Sequence, residues 1–107
     1  QMKKVYFLST CSTCKRIIKE NGYEKKGFGF QDIKTEKISP KQLDELKDLA
    51  GSYEALFSRR SLKYKSMGLK DKKLTETDYR TLILEEYTFL KRPVVLSGRK
   101  VIIGSGN

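Results

Sequence analysis

The chain has 107 residues, with 23 Lys and Arg against 13 Asp and Glu, two cysteines and no histidine. That length supports one small domain with a modest core, and two cysteines are too few for a disulfide scaffold. The lack of histidine removes Cys-His and Ser-His-Asp catalysis, and with no apolar leader and no run of membrane-spanning length the expected compartment is the cytoplasm, with no membrane partner.

In chain order, Val5-Tyr6-Phe7-Leu8 is a short apolar run of strand formers, and a first strand is expected over roughly Lys4 to Ser9. Ile17 and Ile18 lie at helical spacing from Cys14, so a helix is predicted from Ser12 to Asn21, ended by Gly22. Alternation through Gly27-Phe28-Gly29-Phe30-Gln31-Asp32-Ile33 marks a second strand. Strand, helix and strand this close together imply a parallel pair with a right-handed crossover. Ser39-Pro40-Lys41-Gln42 is a helix start, with a capping serine, a proline in the first turn and a glutamine able to reach back. Leu43, Leu46, Leu49 and Ala50 then form an apolar stripe that stops at Gly51. Ser52 can cap a short helix through Tyr53, Ala55, Leu56 and Phe57; Thr75 opens another, with Tyr79, Leu82, Ile83 and Tyr87 on one face as core residues. Pro93-Val94-Val95-Leu96, Ser97-Gly98 and Arg99-Lys100-Val101-Ile102-Ile103 read as a hairpin. A helix covering the sheet after Gly104-Ser105-Gly106 is expected to be absent.

Cys11-Ser12-Thr13-Cys14 carries the chemistry, because it falls where the first strand hands over to the helix. The partial positive charge of a helix N-terminus favours thiolate over thiol, and the thiolate attacks disulfides and oxidised substrates. With no histidine, further activation must come from Lys or Arg, and Lys15 and Arg16 are the nearest in sequence. Half a zinc site is the competing reading, but zinc normally takes four ligands and the chain has no further cysteine or histidine to complete them. Cys14 also shares a helix face with Ile17 and Ile18, a position that equally suits a small buried hydrophobe. The formal net charge of +10 is concentrated between Arg59 and Lys73, where Arg59, Arg60, Lys63, Lys65, Lys70, Lys72 and Lys73 are opposed only by Asp71. Such a segment attracts an acidic protein surface, an anionic substrate or nucleic acid, and is equally a solvated basic face; no direct nucleic-acid binding is assigned to it.

The order strand, Cys-x-x-Cys at a helix start, helix, strand, helical insert, Arg-Pro and hairpin resembles the arsenate reductase-like family, which includes the Spx regulators. The resemblance runs from Lys3 to about Gly104. It rests on Cys11-Ser12-Thr13-Cys14-Lys15, on Phe57-Ser58-Arg59-Arg60-Ser61 with Met67-Gly68-Leu69 behind it, and on Leu90-Lys91-Arg92-Pro93-Val94-Val95. It implies an α/β, thioredoxin-like fold over residues 1–107: a mixed sheet of βαβ followed by a β-hairpin, with a helical insert at about 39–90. It further implies that Cys11 is the nucleophile, that Pro93 follows a cis bond and faces it, and that Arg92 stabilises the thiolate and binds an oxyanion, since guanidinium offers planar bidentate hydrogen bonds. Arg60 falls on the arginine that Spx-like and related members carry and is, with Arg92 and Pro93, an expected substrate-binding residue, whereas the arsenate reductases proper place theirs slightly earlier, where Ser58 stands. A further arginine late in the second hairpin strand of those reductases is replaced here by Ile103-Gly104, and Cys14 follows the Spx pattern.

Two functions follow. One is a thiol oxidoreductase acting on a small oxyanion or on a thiol or disulfide, with no bound cofactor and with glutathione, glutaredoxin or thioredoxin as electron donor. The other is an Spx-like regulator that binds RNA polymerase, with Cys11 and Cys14 as its redox switch.

Overall fold

A computed structural model describes residues 3–104. It divides into two compact units, residues 3–37 with 92–104, and residues 38–91.

The first unit is a four-stranded sheet with one helix. Strands β1 (Lys3–Phe7), β2 (Gly29–Asp32), β3 (Val94–Ser97) and β4 (Lys100–Ile103) take the order β2-β1-β3-β4. β1 and β2 are parallel, whereas β1–β3 and β3–β4 are antiparallel. This is the mixed sheet of a thioredoxin-like fold. Helix α1 (Ser12–Asn21) supplies the crossover from β1 to β2. It ends at Gly22, whose φ of 63° lets its N–H reach back to the carbonyls of Ile18 and Lys19. Val5 of β1, Val95 of β3, Ile18 of α1 and Tyr23 form the buried cluster between helix and sheet, with Phe7 and Phe28 against it. Gly98, at φ 62°, closes the β3–β4 hairpin. The stretch beyond Gly104, where no covering helix is expected, lies outside the described residues.

The second unit is helical. α2 (Pro40–Ala50) begins with the reciprocal cap that the sequence predicts: Ser39 Oγ accepts from the Gln42 N–H, and Gln42 Oε1 accepts from the Ser39 N–H. Ser39→Ala should therefore cost about 1 kcal/mol of stability, read as a shift in the denaturant midpoint at unchanged slope. Leu43 and Leu46 are fully buried, but Leu49 is 38 % exposed, so the apolar stripe of α2 is narrower than its sequence spacing suggests. α3 (Leu62–Ser66) was not anticipated from periodicity, since it is five residues long and buries none of them. α4 (Glu76–Glu85) starts at the Thr75 cap, with Asp78 as the reciprocal partner. It buries Tyr79 and Ile83, whereas Leu82 and Tyr87 of the expected face are half-buried. Phe57 is the aromatic centre of this unit, stacked on Phe89 at 5.0 Å and tilted against Tyr79 at 4.8 Å.

Candidate functional site

Three residues named from the sequence come together in the first unit: Cys11, Cys14 and Arg92. The sheet register explains how residues so far apart in sequence meet. β1 pairs Tyr6 with Val94 of β3, so the residues entering β3, Arg92 and Pro93, lie at the Leu8 end of β1, from which the chain turns into α1. The Arg92–Pro93 bond is cis, as the family resemblance implies. Arg92 is half-buried, and its Nε is fully shielded.

Cys11 is the N-cap of α1, in extended conformation at φ −97° and ψ 111°. Its N–H donates to the Leu8 carbonyl at 3.0 Å, which tightens the turn out of β1, and its carbonyl accepts the first helical bond, from the Lys15 N–H. Asp32, the last residue of β2, anchors the same loop by accepting from the Ser9 N–H, and also accepts from the Lys34 N–H at 3.1 Å. Hydrogen bonding from Ser9, ahead of a smaller opposing cost of burial, holds the Asp32 carboxyl below its ordinary range. Asp32 was not singled out from the sequence. Its signal there is only local, an aspartate at a strand end two residues before a turn N–H.

The two thiols have opposite characters. Cys11 is half-exposed and Cys14 is completely buried. Partial burial pushes the Cys11 thiol up, but the Cys14 N–H, the Cys14 thiol and the Arg92 guanidinium together outweigh it and leave Cys11 below its ordinary value. Cys14 is pushed up to about 11, first by burial and then by the hydrogen bond and charge of Cys11, against opposing help from the Leu8 N–H and Arg92. The pair is thus polarised: the half-exposed Cys11 thiol ionises more readily than an ordinary cysteine, and the buried Cys14 thiol behind it less readily. The cation at Cys11 is Arg92, rather than the sequence neighbours Lys15 and Arg16. Arg16 instead pairs with Glu20 at 3.2 Å along the exposed face of α1.

Arg60 lies in the other unit, where it is exposed and its N–H donates to Ser58 Oγ at 3.3 Å. Its segment is held by the Ser58 N–H bond to the Phe89 carbonyl and by the Phe57–Leu90 bridge. The adjacent Arg59 is committed to that unit, at 2.8 Å from Glu54 and 3.0 Å from the Tyr79 hydroxyl. At the end of β4, Gly104 donates its N–H to the Pro93 carbonyl at 2.7 Å and presents no side chain.

Among the described residues no group of three or more His, Cys, Asp or Glu side chains is placed to hold a metal ion, and no helix is long and apolar enough to cross a membrane. The cavity of about 640 Å³ in the first unit is lined by Lys3, Ser97 and Tyr23 among others, toward the opposite end of the sheet from Cys11.

Comparison with solved structures gives the same fold at low identity. A putative arsenate reductase from Yersinia pestis superposes with a TM-score of 0.81 at 20 % identity, over 95 % of this chain and 91 % of that one. A putative ArsC family related protein from Bacteroides fragilis gives 0.83 at 22 %, over 97 % and 92 %. A possible arsenate reductase from Streptococcus mutans gives 0.79 at 24 %, over 99 % and 92 %. Among curated proteins no significant sequence match is found. The ArsC family profile matches residues 6–107, nearly the whole sequence. The chain is a member of the ArsC family.

Proposed function

We propose that this protein is a thiol oxidoreductase in which the Cys11 thiolate attacks the substrate. The observation that carries this reading is the polarised pair at the start of α1, Cys11 half-exposed beside Arg92 with Cys14 buried behind it. With a disulfide substrate, Cys11 sulfur bonds to one sulfur while the S–S bond breaks, and the departing thiolate takes up a proton from water. A donor thiol, of the glutathione or glutaredoxin type, then attacks the Cys11 sulfur of the mixed disulfide and releases the second substrate thiol. Another donor thiol attacks the donor–Cys11 disulfide, leaving as donor disulfide and returning Cys11 as thiolate. The substrate gains two electrons, which come from the two donor thiols. Cys14 offers an internal route to the same end: once its proton is lost, it can close a Cys11–Cys14 disulfide for a thioredoxin-type donor to reopen. Membership of the ArsC family and the names of the structural relatives make arsenate the oxyanion to test first.

The deciding experiment is a thiol-coupled reduction assay, run in parallel on arsenate and on a small disulfide, with wild type and Cys11→Ser. Turnover of the disulfide that Cys11→Ser abolishes is the expected result; equal rates for the two proteins would remove Cys11 from the mechanism.

A second reading draws on the basic surface. Lys63, Lys65, Lys70, Lys72 and Lys73 are all exposed on the helical unit, as a macromolecular partner with an acidic face requires. In that reading the protein is a regulator that docks on RNA polymerase, and oxidation of Cys11 and Cys14 switches it. Pulldown of polymerase subunits that depends on the redox state of the cysteines would favour it over the enzyme.

A further inference from the structure

We propose that Gly104 is a positioning residue for the cysteine site: having no side chain, it lets the end of β4 lie against Pro93 and so fixes Arg92 beside Cys11. The inference rests on the reading of Cys11 as the reactive thiolate and adds a residue that makes no contact with the substrate.

The geometry is a question of space. Gly104 is not one of the glycines at positive φ, so backbone freedom does not explain it. A Cβ built on Gly104 would lie 2.9 Å from the Pro93 carbonyl oxygen and 3.0 Å from Pro93 Cγ, with Pro93 Cδ closer still. All of these atoms belong to the ring and backbone of a buried residue, flanked by the buried Val94, so no flexible tip can swing aside. The Gly104 N–H simultaneously donates to the Pro93 carbonyl at 2.7 Å. A methyl group at 104 must therefore move the Pro93 ring or peel the end of β4 away. Pro93 is bonded directly to Arg92, so either movement changes where the guanidinium stands. Cys14 and Arg92 both act on Cys11, and of the two only Arg92 is bonded directly to Pro93. Gly29 on β2 provides the contrast: a Cβ there would meet only the Lys3 carbonyl, at 3.7 Å, an ordinary contact.

The test uses Cys11 alkylation by iodoacetamide as a function of pH, followed by peptide mass, so no substrate is involved. Arsenate or disulfide turnover and this titration can each fail without the other. Gly104→Ala should move the Cys11 midpoint upward and slow alkylation at pH 7 by about three- to tenfold, through loss of thiolate. Gly29→Ala should match wild type, and adding Gly104→Ala to Arg92→Ala should produce no further slowing. A folded Gly104→Ala protein with the wild-type profile overturns the proposal, as does slowing that adds in full to that of Arg92→Ala. Should circular dichroism show Gly104→Ala unfolded, the wild-type protein gives the answer. The Gly104 amide resonance should titrate with the Cys11 midpoint and cease to do so in Cys11→Ser, whereas an amide shift flat across that range overturns the proposal.

Discussion

At pH 7, limited treatment with iodoacetamide is expected to modify Cys11 and leave Cys14 intact, with a rate ratio of at least about a hundredfold. The sign follows from the two environments. Only the thiolate is alkylated, so a thiol held below its ordinary value reacts at lower pH and one held above it reacts at higher pH. Cys14, pushed up to about 11 by burial and by its neighbour Cys11, is ionised in roughly one molecule in ten thousand at pH 7. An ordinary thiol at 9.0 would be ionised in about one in a hundred, and Cys11 lies below that value. Complete burial of Cys14 widens the gap further, since the reagent must also reach it. Peptide-resolved rates between pH 5 and pH 10 check this, and equal rates or faster reaction at Cys14 would sink the assignment of roles. Arg92→Ala should raise the Cys11 midpoint, because it removes a positive charge that favours the thiolate.

The same pair has a consequence for stability at alkaline pH. Below pH 9 Cys14 is protonated in both the folded and unfolded chain, so its contribution is fully present. As pH rises from 9.0 toward about 11, the unfolded chain sheds that proton before the folded one does, and stability falls. Cys11, with its lowered value, acts in the opposite sense, stabilising the fold once the unfolded thiol would also ionise. Cys11→Ser should therefore expose the alkaline loss more fully, since burial, the larger cause of the Cys14 shift, remains. Denaturant midpoints of the two proteins at pH 8 and pH 10.5 provide the comparison.

Much of the fold was legible in the sequence because it depends on local chemistry. Ser39 with Gln42 and Thr75 with a helix behind it mark helix starts through bonds that span one turn, and Gly22 and Gly98 mark positions that need positive φ. Helix α3 escaped because five residues carrying exposed Leu62 and three polar neighbours hold no period to detect. Leu49 misled for the complementary reason: its spacing is right for the stripe, but the packing on α2 stops short of it. In the site, the helix-start argument located Cys11, yet it nominated Lys15 and Arg16 as the activating charges. The cation that acts on Cys11 is Arg92, delivered by strand pairing between distant segments, and only the family resemblance pointed to it. Asp32, and the contact of Gly104 with Pro93, escaped for the same reason, since the partners Ser9 and Pro93 are set by register rather than by neighbouring residues.

Arsenate turnover by this protein is expected to be weak or absent, with thiol–disulfide reactivity at Cys11 retained. Transfer of an arsenate anion to a thiolate brings two negative charges together, and preorganised cations must offset the repulsion, usually the largest catalytic contribution. Arg92 is in place beside Cys11. At the end of the second hairpin strand, where the resembled reductases add an arginine, Ile103 is apolar, and a side chain on Gly104 would collide with Pro93. Within the helical unit, Arg59 is tied to Glu54 and Tyr79, and Arg60 is exposed. With so few cations, each should matter greatly for oxyanions and less for neutral reagents. Loss of one charged hydrogen-bonding partner typically costs about 1.5–3 kcal/mol, or roughly tenfold to a hundredfold in affinity. Arg92→Ala should therefore weaken protection of Cys11 by arsenate or sulfate by about that factor, over and above the slowing of Cys11 alkylation that it causes without oxyanion. Arg60→Ala, read in the same protection assay, tests whether Arg60 adds to oxyanion binding. Efficient arsenate turnover by the wild-type protein would overturn the argument from the missing arginine.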